Sequence, residues 1–416
     1  MTGNGRERLF ARCPNPAVGV PLASLFLLFG GVCGSDNPKR GKGGMMSFIV
    51  RRCMLLAAVA AAFSHTAVAT EVYSEDGTKI DLFGEVRTQW NEGDAISHDV
   101  TGSGSKIGVS GEHSLGQLTA RGVSSFQYNG NTHSAANFQV KEGYLGLRHK
   151  TYGELDIGRK ATVHDTLFDY DCSWAFGGAA KNGHDPLGTG ISESLIQYAW
   201  TGSELTLMGQ IQARSTFVND GFEAGGALDP LNPEKASVRP GFGLGLAWNG
   251  SMGVGAKVAY TRASLDNLSA TPGGGNGVTP APAAIMAPHM TVDSAGLQLD
   301  CTLGQVGLAA AVFNFSYKLP AEKQKKVGLA GRVAYNVIRP VNVYAVADRV
   351  QTSAPEESTF VNLAPKSTVA TYTGGFDYRP HKKMLTFMEF SYEVSKAGQA
   401  DKTNNGRVAA GARYYF

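Results

Sequence analysis

The chain has 416 residues, 53 of them glycine, with 43% hydrophobic and 18% charged side chains, a formal net charge of +3 and a mean hydropathy of −0.14. That hydropathy excludes a polytopic helical membrane protein, and beyond residue 69 no run reaches the ~20 apolar residues a transmembrane helix needs. The positive charge belongs to residues 1–69, with eight basic and two acidic side chains; the remainder carries 30 basic against 33 acidic, a net of −3, and offers no footprint for nucleic acid.

Residues 1–45 are read as an upstream over-reading of the start, with Met46 as the initiator. Arg51 and Arg52 then precede the apolar run 54–63, and Ala67-Val68-Ala69 has the small-x-small form of a cleavage site. This is the layout of a secretory signal peptide over 46–69, so the mature chain is expected to begin near Thr70 and run to 416. Val32 directly before Cys33 does not fit a lipoprotein signal. Cys13, Cys33 and Cys53 fall in the leader, and Cys172 with Cys301 makes no disulfide framework.

From Thr70 onward strand follows strand with almost no helical periodicity. IDLFGEVRTQW (80–90) alternates Ile80, Leu82, Val86 and Trp90 against Asp81, Glu85, Arg87 and Gln89. Fifteen further runs follow, from SKIGVSGEH (105–113) and QLTARGVSSFQY (117–128) to KMLTFMEFSYEV (383–394) and RVAAGARYYF (407–416). Each is about ten residues, the length of a tilted strand across a bilayer.

The connections alternate in length. Tight turns are read at 113–116, 150–153, 202–204, 249–253, 303–305, 338–340 and 379–383. Longer polar stretches are read at 91–103, 129–137, 161–190, 215–237, 264–289, 318–324, 351–364 and 396–405. Seven turns and eight loops fit an all-β, sixteen-strand antiparallel barrel with short turns on the periplasmic side. Alternation by itself also fits a soluble sandwich. The barrel is favoured because the faces opposite the apolar residues carry Arg87, Lys106, Arg121, Lys257, Arg332, Arg349, Glu389, Glu393 and Arg407. Aromatics also gather at strand ends (Trp90, Tyr128, Trp200, Trp248, Tyr260, Tyr317, Tyr335, Tyr378), as interfacial girdles do.

Over essentially all of 70–416 the chain then resembles the general porins of Gram-negative outer membranes, and three segments carry the resemblance. IDLFGEV is similar to their first strand, EGYLGLRHKTYGELDIGR (142–159) to their fourth strand, turn and fifth strand, and the terminal Tyr414 and Phe416 to the signal read by the outer-membrane assembly machinery. The resemblance implies a transmembrane barrel, a homotrimer bridged through loop 129–137, and surroundings of outer-membrane lipid and lipopolysaccharide. It implies no cofactor and no metal.

In such porins the third loop folds into the lumen and presents acids to a basic wall. Here the loop reads KATVHDTLFDYDCSWAFGGAAKNGHDPLGTG (160–190). Phe176-Gly177-Gly178 matches the family's bend and Asp171 its first acid, while Ala175 and Ala179 stand where two further acids are expected; Asp165 and Asp169 are additional candidates. On the wall, Lys106 and Lys141 match family positions, another falls on Ile191, and the first-strand position falls on Glu85 with Arg87 on the same face. Arg121 completes the candidate constriction set. A bulge near Lys141 would swap faces there.

Opposed charges across a watery gap orient dipolar solutes and penalise apolar ones. With both sides thinned, selectivity is expected to be weak and its sign unreadable. The function expected is passive diffusion of ions and small hydrophilic solutes. A solute-specific channel is the nearer alternative, with Phe168, Tyr170 or Trp174 stacking on a sugar. An adhesin or an outer-membrane enzyme stands further off, since the mature histidines are scattered and no nucleophile–base motif occurs; His164 beside Asp165 is the one suggestive pair.

Overall fold

The computed structural model describes residues 70–94, 96–102, 104–128, 138–168, 173–181, 190–216, 237–250, 253–269, 286–318, 323–338, 340–353, 366–398 and 401–416. The leader segments 1–45 and 46–69, and loop 129–137, lie outside them.

Nineteen strand segments form one antiparallel sheet. They are β1 (Thr70–Glu75), β2 (Thr78–Gly93), β3 (Ile96–Thr101), β4 (Ser105–Leu115), β5 (Leu118–Tyr128), β6 (Phe138–His149), β7 (Gly153–Ala161), β8 (Ile191–Thr201), β9 (Leu205–Gln212) and β10 (Ser215–Thr216). There follow β11 (Ser237–Asn249), β12 (Val254–Ser269), β13 (Met286–Leu303), β14 (Val306–Lys318), β15 (Lys323–Ile338), β16 (Val341–Ser353), β17 (Ser367–His381), β18 (Met384–Ala397) and β19 (Thr403–Tyr415).

Three barrel strands are each made of two segments. β3 and β4 pair with successive stretches of β2, and β9 and β10 with β11. β1 pairs with 78–82 of β2 and β19 with 85–93, so β1 continues the line of β19. The result is a closed barrel of sixteen antiparallel strands. Tight connections join the strands near the seven predicted turns, although β4 runs on to Leu115 and β17 to His381, and residues 251, 252 and 339 lie outside the described residues. The N-terminal segment adds a hairpin around Asp76-Gly77, whose positive φ angles of 49° and 73° are those of a two-residue hairpin turn. Several strands outrun the sequence expectation: β12 extends to Ser269, β13 starts at Met286, and β3 occupies part of 91–103.

The amphipathy is inverted relative to a water-soluble sheet. Leu145 and Leu244 are 73% and 61% exposed, whereas Gln197 and Gln212 are 1% exposed. Water would penalise such a band, whereas hydrocarbon accepts it. Two residues depart from the sequence reading. Arg349 stands on the exposed face of β16 with Ala345 and Ala347, because the buried face there is Tyr344, Val346 and Asp348. Tyr317 is buried on the polar-side face of β14 with Phe313 and Phe315, so it is no girdle residue.

Closure rests on the pairing of β19 with β2. Val408, Ala410, Ala412 and Tyr414 face outward with Val86, Thr88 and Trp90, while Arg407 and Arg413 face inward. At the seam's end Gly84 N–H donates to the Phe416 carbonyl at 3.0 Å and Phe416 N–H returns to Gly84 O at 3.1 Å. The Phe416 ring lies over Gly84: a Cβ there would stand 2.3 Å from the ring edge and 2.7 Å from the Lys106 carbonyl. Gly84→Val should therefore destabilise the barrel by about 1–3 kcal/mol, measured as a lower urea midpoint of heat-modifiable mobility in detergent. Adding Phe416→Ala should restore less than Gly84→Val costs, since the carbonyl clash remains.

Candidate functional site

The third loop opens with a one-turn helix, α1 (Val163–Leu167), capped by Thr162, whose hydroxyl accepts from Asp165 N–H at 3.3 Å. Val163, Leu167 and Phe168 are buried against Met208, Ala247, Ala259, Val292, Phe313 and Phe315, on the inward faces of β9 and β11–β14. The wall is hollowed to receive them. β11 turns Gly241, Gly243, Gly245 and Ala247 inward and Phe242, Leu244, Leu246 and Trp248 outward. A Cβ on Gly245 would fall 2.2 Å from Leu167, and one on Gly296 2.5 Å from the Phe168 ring.

His164 sits at the bottom of this dent, fully buried among the rings of Phe168, Phe313 and Phe315 at centroid distances of 4.9, 5.6 and 5.9 Å. Its Nε2 lies 3.4 Å from the Lys181 carbonyl oxygen. Burial, reinforced by the Lys181 ammonium, pushes it down to about 4. Asp165 pairs with Lys181 at 2.8 Å rather than reaching across to the basic wall.

The second half of the loop is fastened to the opposite strands by wall carboxylates. Glu389 on β18, fully buried, accepts the backbone N–H groups of Trp174, Ala175 and Phe176, the last two at 2.9 and 3.3 Å, and the Tyr344 hydroxyl at 2.6 Å. Asp348 on β16 accepts Gly178 N–H at 2.9 Å, and Asp377 on β17 accepts Trp174 Nε1–H at 3.3 Å. Within the loop Ser173 Oγ accepts from the Phe176 and Gly177 N–H groups, and Gly178 takes φ +92°. Trp174 packs against Phe387, with the Arg413 and Arg379 guanidiniums 4.8 and 5.2 Å from its ring centroid. Arg407 lies 4.9 Å from the centroid of Phe176.

The remaining candidates fall in two groups. Glu85, Arg87 and Lys106 come together on β2 and β4, joined by Arg413 of β19, which the sequence reading left out of the set. Arg121 lies apart, bound to Asp156 and 3.2 Å from Glu154, with Lys160 completing that group. Lys141 is the extra residue of a bulge opposite Ser125–Phe126; it is exposed, yet near enough to Lys106 to repel it. Asp169, Asp171 and Cys172 lie outside the described residues, and Cys301 carries a free thiol.

The family description for Gram-negative porins matches residues 56–398. The chain belongs to the Gram-negative porin family. Outer membrane porin N of Escherichia coli (strain K12) is 24% identical over 385 residues, spanning 87% of this chain and 98% of that one. The major outer membrane protein of Pasteurella multocida (strain Pm70) is 22% identical over 381 residues, 88% and 100% of the two chains. Among solved structures, in vitro folded OmpT of Vibrio cholerae in its trimer form superposes with a TM-score of 0.64 at 15% identity, covering 82% of this chain and all of its own. This porin resides in the Gram-negative outer membrane and provides a water-filled path for passive diffusion of ions and small hydrophilic solutes.

The neutral His164 makes the attachment of α1 pH-dependent. Its folded pKa of about 4 lies below the ordinary 6.5, so the attachment is complete above about pH 6.5 and weakens as pH falls to about 4. The slope is about 1.4 kcal/mol per pH unit at most. Limited proteolysis of residues 160–190 in the folded barrel should accelerate across that window, and His164→Phe should abolish the acceleration.

Proposed function

We propose that residues 160–190 cross the lumen as the constriction of a non-specific diffusion porin, one that performs no covalent chemistry. The observation that carries this reading is the loop's double attachment. α1 packs on the inward faces of β9 and β11–β14, while eleven residues after Val163 the Trp174 amide is held by Glu389 of β18. A segment bound to both walls of a closed barrel narrows the passage between them.

Non-specific passage is favoured over a sugar site. Trp174 already packs on Phe387 with two guanidiniums beside its ring, and Phe168 is fully buried, so both aromatics serve as anchors. The scattered histidines and the enclosed His164 argue against hydrolysis.

A homotrimer is part of the proposal, supported by the trimer form of the Vibrio cholerae relative. So are removal of the leader near Thr70 and delivery through the Tyr414–Phe416 signal to the assembly machinery. Contact with lipid and lipopolysaccharide headgroups is supported by outward-facing Arg262 and Lys318, which lie 3.3 and 2.6 Å from the single carboxylate of Asp293.

Refolded 70–416 in a planar bilayer should give large, weakly selective steps appearing in threes. Small steps blocked by one added solute would establish a specific channel, and silence from a correctly folded barrel would overturn the transport reading. Intact-mass measurement of the exported protein should place its first residue near Thr70.

A further inference from the structure

The charges beside the loop are unevenly distributed. Glu85 is a single carboxylate, 2% exposed, with three cations around it: Arg87 Nε at 2.6 Å, Arg413 Nη1 at 3.6 Å and Lys106 Nζ at 3.8 Å. Arg87 also donates from Nη2 at 2.8 Å. The next carboxylate that acts on Lys106, Glu142, has Lys141 as its immediate neighbour. Four cations thus stand against two acids. By contrast, the group around Arg121 is balanced: Arg121, Lys160 and Arg148 are matched by Asp156, Glu154 and Glu112.

Accessibility enlarges the imbalance. The Arg87 and Lys106 side chains are 30% and 28% exposed above the enclosed Glu85, and Arg379 is 39% exposed beside Asp377 at 3%. The wall acids nearest the loop, Glu389, Asp348 and Asp377, are buried and turned toward loop N–H groups. At the seam a solute therefore meets guanidinium and ammonium groups with the enclosed Glu85 behind them, whereas in the pair Lys181–Asp165 it is the carboxylate that is the more exposed.

The arrangement is also costly. Arg87 and Arg413 are direct register partners across β2 and β19, where like charges destabilise pairing. Arg413 spends one donor on the Trp174 carbonyl at 2.8 Å, fixing its guanidinium at the loop's edge.

We propose that this seam cluster makes the channel prefer small anions, with Arg87, Lys106 and Arg413 as the residues that set the preference. The inference rests on the channel reading above and adds the class of solute. Accessible cations raise the local anion concentration and exclude cations, and guanidinium groups suit oxyanions such as carboxylates and phosphate.

The test is the reversal potential of the refolded porin across a potassium chloride gradient. Wild type should give a chloride-to-potassium permeability ratio above unity. Arg87→Gln and Lys106→Gln should each lower that ratio by roughly two- to fivefold, as expected for one charge several ångströms from a permeating ion in water. Lys106→Gln alone supplies the reading if Arg87→Gln does not fold. A conducting wild type with a ratio at or below unity overturns the anion preference and leaves the porin reading intact, as does a ratio unmoved in every folded variant. No conductance from a folded barrel overturns the porin reading, and the anion preference with it.

Discussion

In hydrocarbon every backbone N–H and C=O must find a protein partner, and each one left unmet costs several kcal/mol. The run of pairs from Arg407–Gly93 to Tyr415–Glu85, finished by the two hydrogen bonds between Phe416 and Gly84, meets that demand at the one place where a linear chain leaves two edges. This demand outweighs local electrostatics. Setting Arg87 opposite Arg413 costs about 1 kcal/mol or less, far below the cost of an open edge, and Glu85 between them offsets part of it. The seam thereby fixes where Arg87 and Arg413 stand.

Closure also decides what the loop can do. Its apolar head enters a dent that Gly245 and Gly296 leave open, and its backbone amides point at Glu389 and Asp348. Where the family resemblance implies acids on the loop facing bases on the wall, three wall carboxylates here hold the loop itself. Ala175 is intelligible in that light, whereas nothing in the structure explains Ala179. The segment lies directly on buried Glu389, and a carboxylate at position 175, whose own N–H donates to it, would add repulsion in a site of low polarity.

Much of this was legible in the residues. Strict alternation and seven tight turns give the strand count, because register in a one-sided strand is enforced by every side chain at once. Asp76-Gly77 was an available hairpin signal, obscured because β1 carries little apolar alternation. The face of Arg349 was misread because both faces of β16 carry apolar residues, Val341 and Val343 against Val346 and Val350, and Tyr317 was misread because a position at a strand's end does not by itself report the face. The GFGLGLAW stretch of β11 announced a low wall, since glycine at three successive inward positions, Gly241, Gly243 and Gly245, carries no side chain there, and at Gly245 the loop fills the space. Glu389 was visible as an inward charge, but its partners are backbone amides more than two hundred residues earlier, and no local pattern encodes that meeting.

The central claim is that wall carboxylates hold the third loop across the lumen. Single-channel recording of Glu389→Ala, in a barrel shown to be folded by its heat-modifiable mobility, tests it most directly. Removing the acceptor of three loop amides and the Tyr344 hydroxyl should release the segment and give larger, noisier open steps than wild type. Steps and noise identical to wild type would contradict the account.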